Sequence, residues 1–279
     1  TACIIDPSTN YNAEYHVYYY PGYPNEGRYE DPKTYHYHDS VEVLGKPAYF
    51  NKQGAVFLGW QHQYGYGSLY QPRETIVLDG DYLFTAVWGG DPDDFEYTIS
   101  GETVTITGYS GSSYLFIPQT IEGKNITAIG NSAFHQQNIL GVLSLPQTLE
   151  TIGLKAFMGN YFDTLNLPDS VKTIKALAFR GCYLRSLNFG KGIEEIGDYA
   201  FDSGNLDTLE FPSSLKTIGV GAFLVNEIYD VKIGAGVNIA SDDAIENQGV
   251  GFKSYYDAQG KAAGSYEFLH GKWAGPFQD

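Results

Sequence analysis

Leu165-Asn166-Leu167-Pro168-Asp169-Ser170-Val171-Lys172-Thr173-Ile174-Lys175-Ala176-Leu177-Ala178-Phe179 is one statement of a phrase that recurs along the second half of the chain. Its opening returns as Leu143-Ser144-Leu145-Pro146, Leu187-Asn188-Phe189-Gly190, Leu209-Glu210-Phe211-Pro212 and Val231-Lys232-Ile233-Gly234. Its close returns as Ala133-Phe134, Ala156-Phe157, Ala200-Phe201 and Ala222-Phe223, each behind an Ile-Gly step at Ile129, Ile152, Ile196 or Ile218. Two further apolar columns keep the same period of about 22 residues: Leu140, Phe162, Leu184, Leu206 and Ile228, and Leu149, Val171, Ile193, Leu215 and Val237. A single phrase cannot keep these side chains dry, because a flat coil leaves both of its faces open. Stacking coil on coil at the spacing of hydrogen-bonded strands, about 4.8 Å, buries them in one continuous interior. Strands such as Leu143 to Leu145 are expected to pair with their equivalents in the next coil.

The residues between the apolar columns support this layering. Glu150, Lys172, Glu194 and Lys216 occupy equivalent places in consecutive coils, so stacking sets opposite charges side by side. Such exposed pairs are worth only a few tenths of a kcal/mol each and are read as register and solubility. Alanine before each phenylalanine fits a tight corner, and proline ends the strand. Cys182 stands in the column Asn160, Cys182, Gly204, Asn226, where a compact turn residue is wanted. Around Ile239 the phrase degenerates, with Asp243-Ala244 where Ala-Phe is expected.

These motifs resemble the BspA-like leucine-rich repeats of bacterial surface proteins, over roughly residues 95–275. Phe95-Glu96-Tyr97, Val104 to Tyr109 and Ile121-Glu122-Gly123-Lys124 are similar to that family's leading cap; Tyr255-Tyr256, Gly260 to Tyr266 and Gly271-Lys272-Trp273 are similar to its closing cap. The fold class that follows is mainly β: a right-handed leucine-rich-repeat solenoid of about six coils, preceded by a small β-grasp-like domain. The resemblance implies a cell-surface or secreted protein, adhesin-like, with a host or extracellular-matrix protein as its ligand.

The first part has a different grammar. After an extension over residues 1–13, residues 14–90 carry alternating runs at Tyr15 to Tyr20, Val41 to Leu44, Val56 to Trp60 and Tyr82 to Trp88 between glycine- and proline-rich turns, which predicts strands. Tyr18-Tyr19-Tyr20-Pro21-Gly22, Phe57-Leu58-Gly59-Trp60 and Leu83 to Trp88 resemble the internalin-type B repeat, a β-grasp-like module that serves in its family as a spacer. Residues 91–94, Asp-Pro-Asp-Asp, have the composition of a linker.

Composition narrows the function. Lys plus Arg number 17 against 33 Asp plus Glu, a net charge of −16, which repels a phosphate backbone and excludes nucleic acid as partner. No apolar run is long enough to span a bilayer. Thr1-Ala2-Cys3 would suit the end of a lipoprotein signal, against which stands a bland unpaired cysteine. No nucleophile with its base and no third ligand beside His36 and His38 is present in the pattern that catalysis or a metal needs, so no enzyme activity, cofactor or metal is expected. Asp91 to Asp94 and Asp79-Gly80-Asp81 lack calcium-loop spacing and read as solvated turns.

What can bind is the stacked surface. Tyr161 and Tyr183 are equivalent positions in adjacent coils, so two rings should stand side by side, either open to a partner or covering the coil edge as a partly buried pair. Asn166, Asn188, Thr208 and Glu210 lie on the polar face of the first strand and form a second candidate surface. Two rival readings exist: glycan binding through Tyr64, Tyr66 and Tyr70, and a passive structural spacer.

Overall fold

The computed structural model describes residues 13–21, 27–50, 52, 55–62, 69–111, 113, 115–141 and 143–277. The lipid-anchor reading of Cys3 and the tyrosines Tyr64 and Tyr66 fall outside these residues. The chain divides into two compact units, Thr1–Gly89 and Gly90–Asp279.

In the first unit a five-stranded sheet runs in the order Tyr29–Glu30, Val17–Tyr20, Tyr82–Gly89, Val56–His62, Leu69–Tyr70. Val17–Tyr20 is parallel to Tyr82–Gly89, and the other pairings are antiparallel. Ser40–Glu42 and Thr75–Val77 form a separate two-stranded ribbon. Alternation decides what is inside: Val17 and Tyr19 are fully buried, together with Trp60, Phe84 and Leu78. Burying a tyrosine and a tryptophan requires partners for their polar tips. Leu44 supplies both, donating its N–H to the Tyr19 hydroxyl at 3.0 Å and accepting from Trp60 Nε1 at 2.8 Å. The loss of solvent pushes the Tyr19 hydroxyl up to about 12. His36 and His38 do not share a strand face. They sit in an exposed turn in which the His36 N–H donates to Asp39 Oδ2 at 2.8 Å and His38 takes a left-handed conformation, φ 66°.

The second unit is the solenoid. Its hairpin of Phe95–Ser100 and Thr103–Tyr109 covers the first coil, and Lys124–Ile129 pairs parallel to it. From there one parallel sheet climbs through Thr151–Ile152, Thr173–Ile174, Glu195–Ile196, Thr217–Ile218 and Asn238–Ile239. The unbroken ladder therefore runs through the isoleucine that opens each Ile-Gly step, or its equivalent, and the residue before it. Among the described residues the Leu-x-Leu segments pair in pieces: Thr164–Asn166 with Ser186–Asn188, Thr208–Glu210 with Asp230–Ile233, and a bridge from Phe116 to Ser144. At the Ile-Gly step the coils touch backbone to backbone, and a Cβ on Gly153 would lie 2.7 Å from the Gly130 carbonyl carbon. That contact is why glycine recurs there.

Inside, Phe134, Phe157, Phe179, Phe201 and Phe223 stack in one column, with ring centroids 4.9, 5.1, 5.4 and 5.3 Å apart and planes within 8° of parallel. The alanines beside them are buried, and each phenylalanine N–H donates to the alanine carbonyl of the next coil, as from Phe179 to Ala200 at 2.8 Å. Leu143, Leu165 and Leu209 are buried in one core, against which the half-buried Leu187 packs. The last coil corrects the sequence reading. Phe223 N–H bonds to Ala244, so Ala244-Ile245, not Asp243-Ala244, fills the Ala-Phe place. One extra residue in the short 3-10 turn Asp242–Ala244 had shifted the pattern. The stack closes on the α-helix Phe252–Ala258 and on the strands Gly264–Leu269 and Lys272–Phe277, whose Phe252, Tyr256, Tyr266 and Trp273 are buried against one another.

Candidate functional site

Each of the five coils with an Ala-Phe pair turns twice through left-handed backbone around it. Ser132, Lys155, Leu177, Tyr199 and Gly221 have φ between 54° and 62°, and Gln136, Gly159, Gly181, Ser203 and Val225 between 55° and 72°. After the second of these turns the chain crosses the coil edge on its way to the Leu-x-Leu strand. Tyr161 and Tyr183 stand on that edge. Their rings are stacked at 5.9 Å with planes 2° apart, and the side chains remain 49% and 56% exposed. The pair is thus half exposed, and each ring covers one face of the other.

Beneath the pair the edge is held by buried amides. Asn160 Nδ2 donates to the carbonyls of Phe134 and Phe157, both at 2.7 Å, and its Oδ1 accepts from Ile139 N–H at 3.0 Å. Asn226 repeats the arrangement with Phe201, Phe223 and Leu206. The turn carbonyls and coil-edge amides would otherwise be buried without partners, so this column selects polar side chains of one shape. In Cys182 the thiol reaches the Phe157 carbonyl at 3.1 Å, and burial pushes it up to about 12, far from a reactive thiolate. Gly204 leaves the space that Asn226 Oδ1 fills, 2.5 Å from where a Cβ would be. Sequence reading found this column and its compactness but missed its role as internal hydrogen-bond donor.

The second candidate face is exposed and already engaged with itself. Asn188 Nδ2 donates to Asn166 Oδ1 at 2.9 Å, Glu210 pairs with Lys232 at 3.6 Å, and Thr208 is exposed beside Glu210. The structure brings Asn166 to Asn188 and Thr208 to Glu210, and sets the tyrosine pair apart from both on the coil edge. The same one-coil step joins Lys172 to Glu150 at 3.2 Å, Arg185 to Asp163 at 3.6 Å, Lys191 to Asp169 at 3.8 Å and Lys216 to Glu194. Lys216 holds the Glu194 carboxyl below the usual carboxylate range. The Arg180–Asp202 pair, at 2.8 Å, has a buried member, Asp202. Of the tyrosines considered for glycan stacking, Tyr70 is half-buried against the first unit's core, its ring 5.4 Å from that of Phe84. Among the described residues no cluster of three histidine, cysteine or acidic side chains is placed to hold a metal ion. No helix there is long and apolar enough to cross a membrane.

The fold is a β-solenoid of about six coils, and residues 127–251 match the BspA type leucine rich repeat region in six copies. Among solved structures, the chain is similar to a T. pallidum leucine rich repeat protein at 29% identity, covering 51% of this chain and 70% of that one, with a TM-score of 0.48. A leucine-rich repeat protein from Bacteroides ovatus is 25% identical over 55% of this chain and 41% of its own, TM-score 0.43. A leucine rich cell surface protein from Faecalibacterium prausnitzii is 24% identical over 54% and 42%, also at 0.43. No curated protein matches the chain.

Proposed function

We propose that this chain is a non-enzymatic, adhesin-like binding protein, displayed at the cell surface or secreted, whose solenoid presents its coil edge to a host or extracellular-matrix protein. The observation that carries the reading is the Tyr161–Tyr183 pair: two large rings left half exposed on a rigid stack whose interior is otherwise full. Aromatic side chains on a preorganised scaffold bury much area at small entropic cost, which is what a protein-binding hot spot needs. The BspA type match over the repeats supports the surface role that the resemblance implies. In this reading the asparagine face, Asn166 and Asn188 with Thr208 and Glu210, is the rim of the contact, and residues 14–90 are an internalin-type B-repeat spacer joined through residues 91–94.

The test is a panel of immobilised matrix proteins probed with the intact chain, followed by the Tyr161→Ala/Tyr183→Ala double variant. Binding at micromolar affinity that falls at least about tenfold in the variant is the expected result. A panel with no ligand, or a ligand bound equally well by the variant, refutes the tyrosine edge as the binding surface.

A further inference from the structure

Beyond the tyrosine pair the same edge continues for two more coils, and there its chemistry changes. Val225 is 63% exposed and Tyr229 38% exposed, and a shallow depression between these coils is lined by Asn205, Asp207, Val225, Glu227 and Tyr229. Val225 is the wrong residue for its backbone. Its φ is 55°, a conformation that L residues with a branched Cβ rarely adopt, and the equivalent places hold Gln136, Gly159, Gly181 and Ser203. Tyr183 is held in the same left-handed conformation at φ 56°. Neither exposed apolar side chain repays this cost through the core, so folding does not account for them.

The charge pattern points to what does. On this edge Asp163 is answered one coil later by Arg185. The next acid in that column, Asp207, follows Arg185, which is engaged with Asp163, and is itself followed 22 positions on by Tyr229, where the ladder would set a second cation. Glu227 is preceded in its column by Asn205, whose side-chain amide turns back to the Tyr183 carbonyl at 3.4 Å. Neither Asp207 nor Glu227 has an ion-pair partner among the described residues.

Resting on the edge reading above, we infer that this segment docks a basic stretch of its protein partner, a lysine or arginine side chain lying between Asp207 and Glu227 against the ring of Tyr229. Arginine suits both halves of the site, since a guanidinium pairs with carboxylates and stacks on aromatic faces. The exposed side chains of Tyr161, Tyr183 and Val225 take the partner's neighbouring side chains. A polyanion is repelled by the same carboxylates that attract the basic segment.

The probe is a fluorescein-labelled alternating arginine–glycine decapeptide, with its glutamine–glycine counterpart, titrated against the full chain by anisotropy at low salt. The arginine peptide is expected to bind at least about tenfold more tightly than the glutamine peptide, with the advantage shrinking as salt rises. Asp207→Asn/Glu227→Gln should remove most of that advantage. Glu195→Gln/Asp198→Asn, which strips the same charge from the surface around the Ile-Gly steps, should change it by less than about twofold. Equal losses in the two variants would reduce the effect to overall acidity and overturn the inference, as would an unchanged affinity in Asp207→Asn/Glu227→Gln. A matrix ligand lost in Tyr161→Ala/Tyr183→Ala but kept by Asp207→Asn/Glu227→Gln would sink the basic partner alone and leave the tyrosine edge standing.

Discussion

Two aromatic columns climb the same stack, and they differ in everything except their period. The five phenylalanines from Phe134 to Phe223 are sealed inside, each ring flanked by its equivalents, and there the repeat acts as structure. The tyrosines Tyr161 and Tyr183 stack nearly as well but on the edge, and the column stops after two members, at Asn205 and Glu227. A column that runs unbroken from coil to coil fills a continuous interior; one that begins and ends within the stack makes a local patch. The contrast separates what the solenoid needs to exist from what it has available to offer a partner.

The sharpest way to break the contrast is Phe179→Ala. Removing a ring from the middle of the sealed column leaves a cavity between two coils and should cost about 3–5 kcal/mol of stability, read from chemical denaturation. Asn160→Ala tests the layer between the two columns. It strips three hydrogen bonds from buried backbone groups and should cost about 2 kcal/mol, with hydrogen exchange at Ile139 accelerating. A value near zero would mean that water replaces the amide.

Val225→Gly runs the other way. Relieving a branched residue of its left-handed backbone should stabilise the chain by about 1 kcal/mol while weakening any ligand contact made there. The opposed signs distinguish a binding residue from a folding one. Tyr161→Ala/Tyr183→Ala should alter stability by less than about 0.5 kcal/mol, since both side chains are half exposed; a larger loss would move the pair to the structural side of the comparison.

The smallest effect belongs to the charge ladder. Because Lys216 depresses the Glu194 carboxyl in the folded state, their contribution is present at neutral pH and is lost as pH falls through that lowered value. Lys216→Ala should bring the Glu194 titration, followed by NMR, back up toward the ordinary carboxylate range.

Much of the solenoid was legible because burial repeated with the sequence: a residue found apolar at every 22nd position has the same neighbours above and below as its equivalents. The charge register was legible for the same reason, and Lys172 and Lys216 do meet Glu150 and Glu194. Legibility failed where the repeat slipped or said nothing. The five-residue step from Ile239 to Ala244 displaced the last Ala-Phe equivalent, because spacing alone does not reveal which residue of a longer turn bulges outward. The Leu-x-Leu strands were expected to pair from coil to coil, and Leu165 does pair with Leu187 and Leu209 with Val231, but among the described residues the strand ladder that runs through every coil is the one ending on Ile129, Ile152, Ile174, Ile196, Ile218 and Ile239.

What the sequence by itself determined, then, is a mainly β solenoid with its apolar columns inward, since periodic oily side chains have only one dry arrangement. Tertiary structure alone decided that the tyrosine pair stays half exposed, that Asn160 and Asn226 serve the interior, and that Val225 stands strained beside two carboxylates with no ion-pair partner among the described residues. Those facts depend on how far one coil's edge overhangs the next and on backbone torsions, and neither quantity is written in residue spacing.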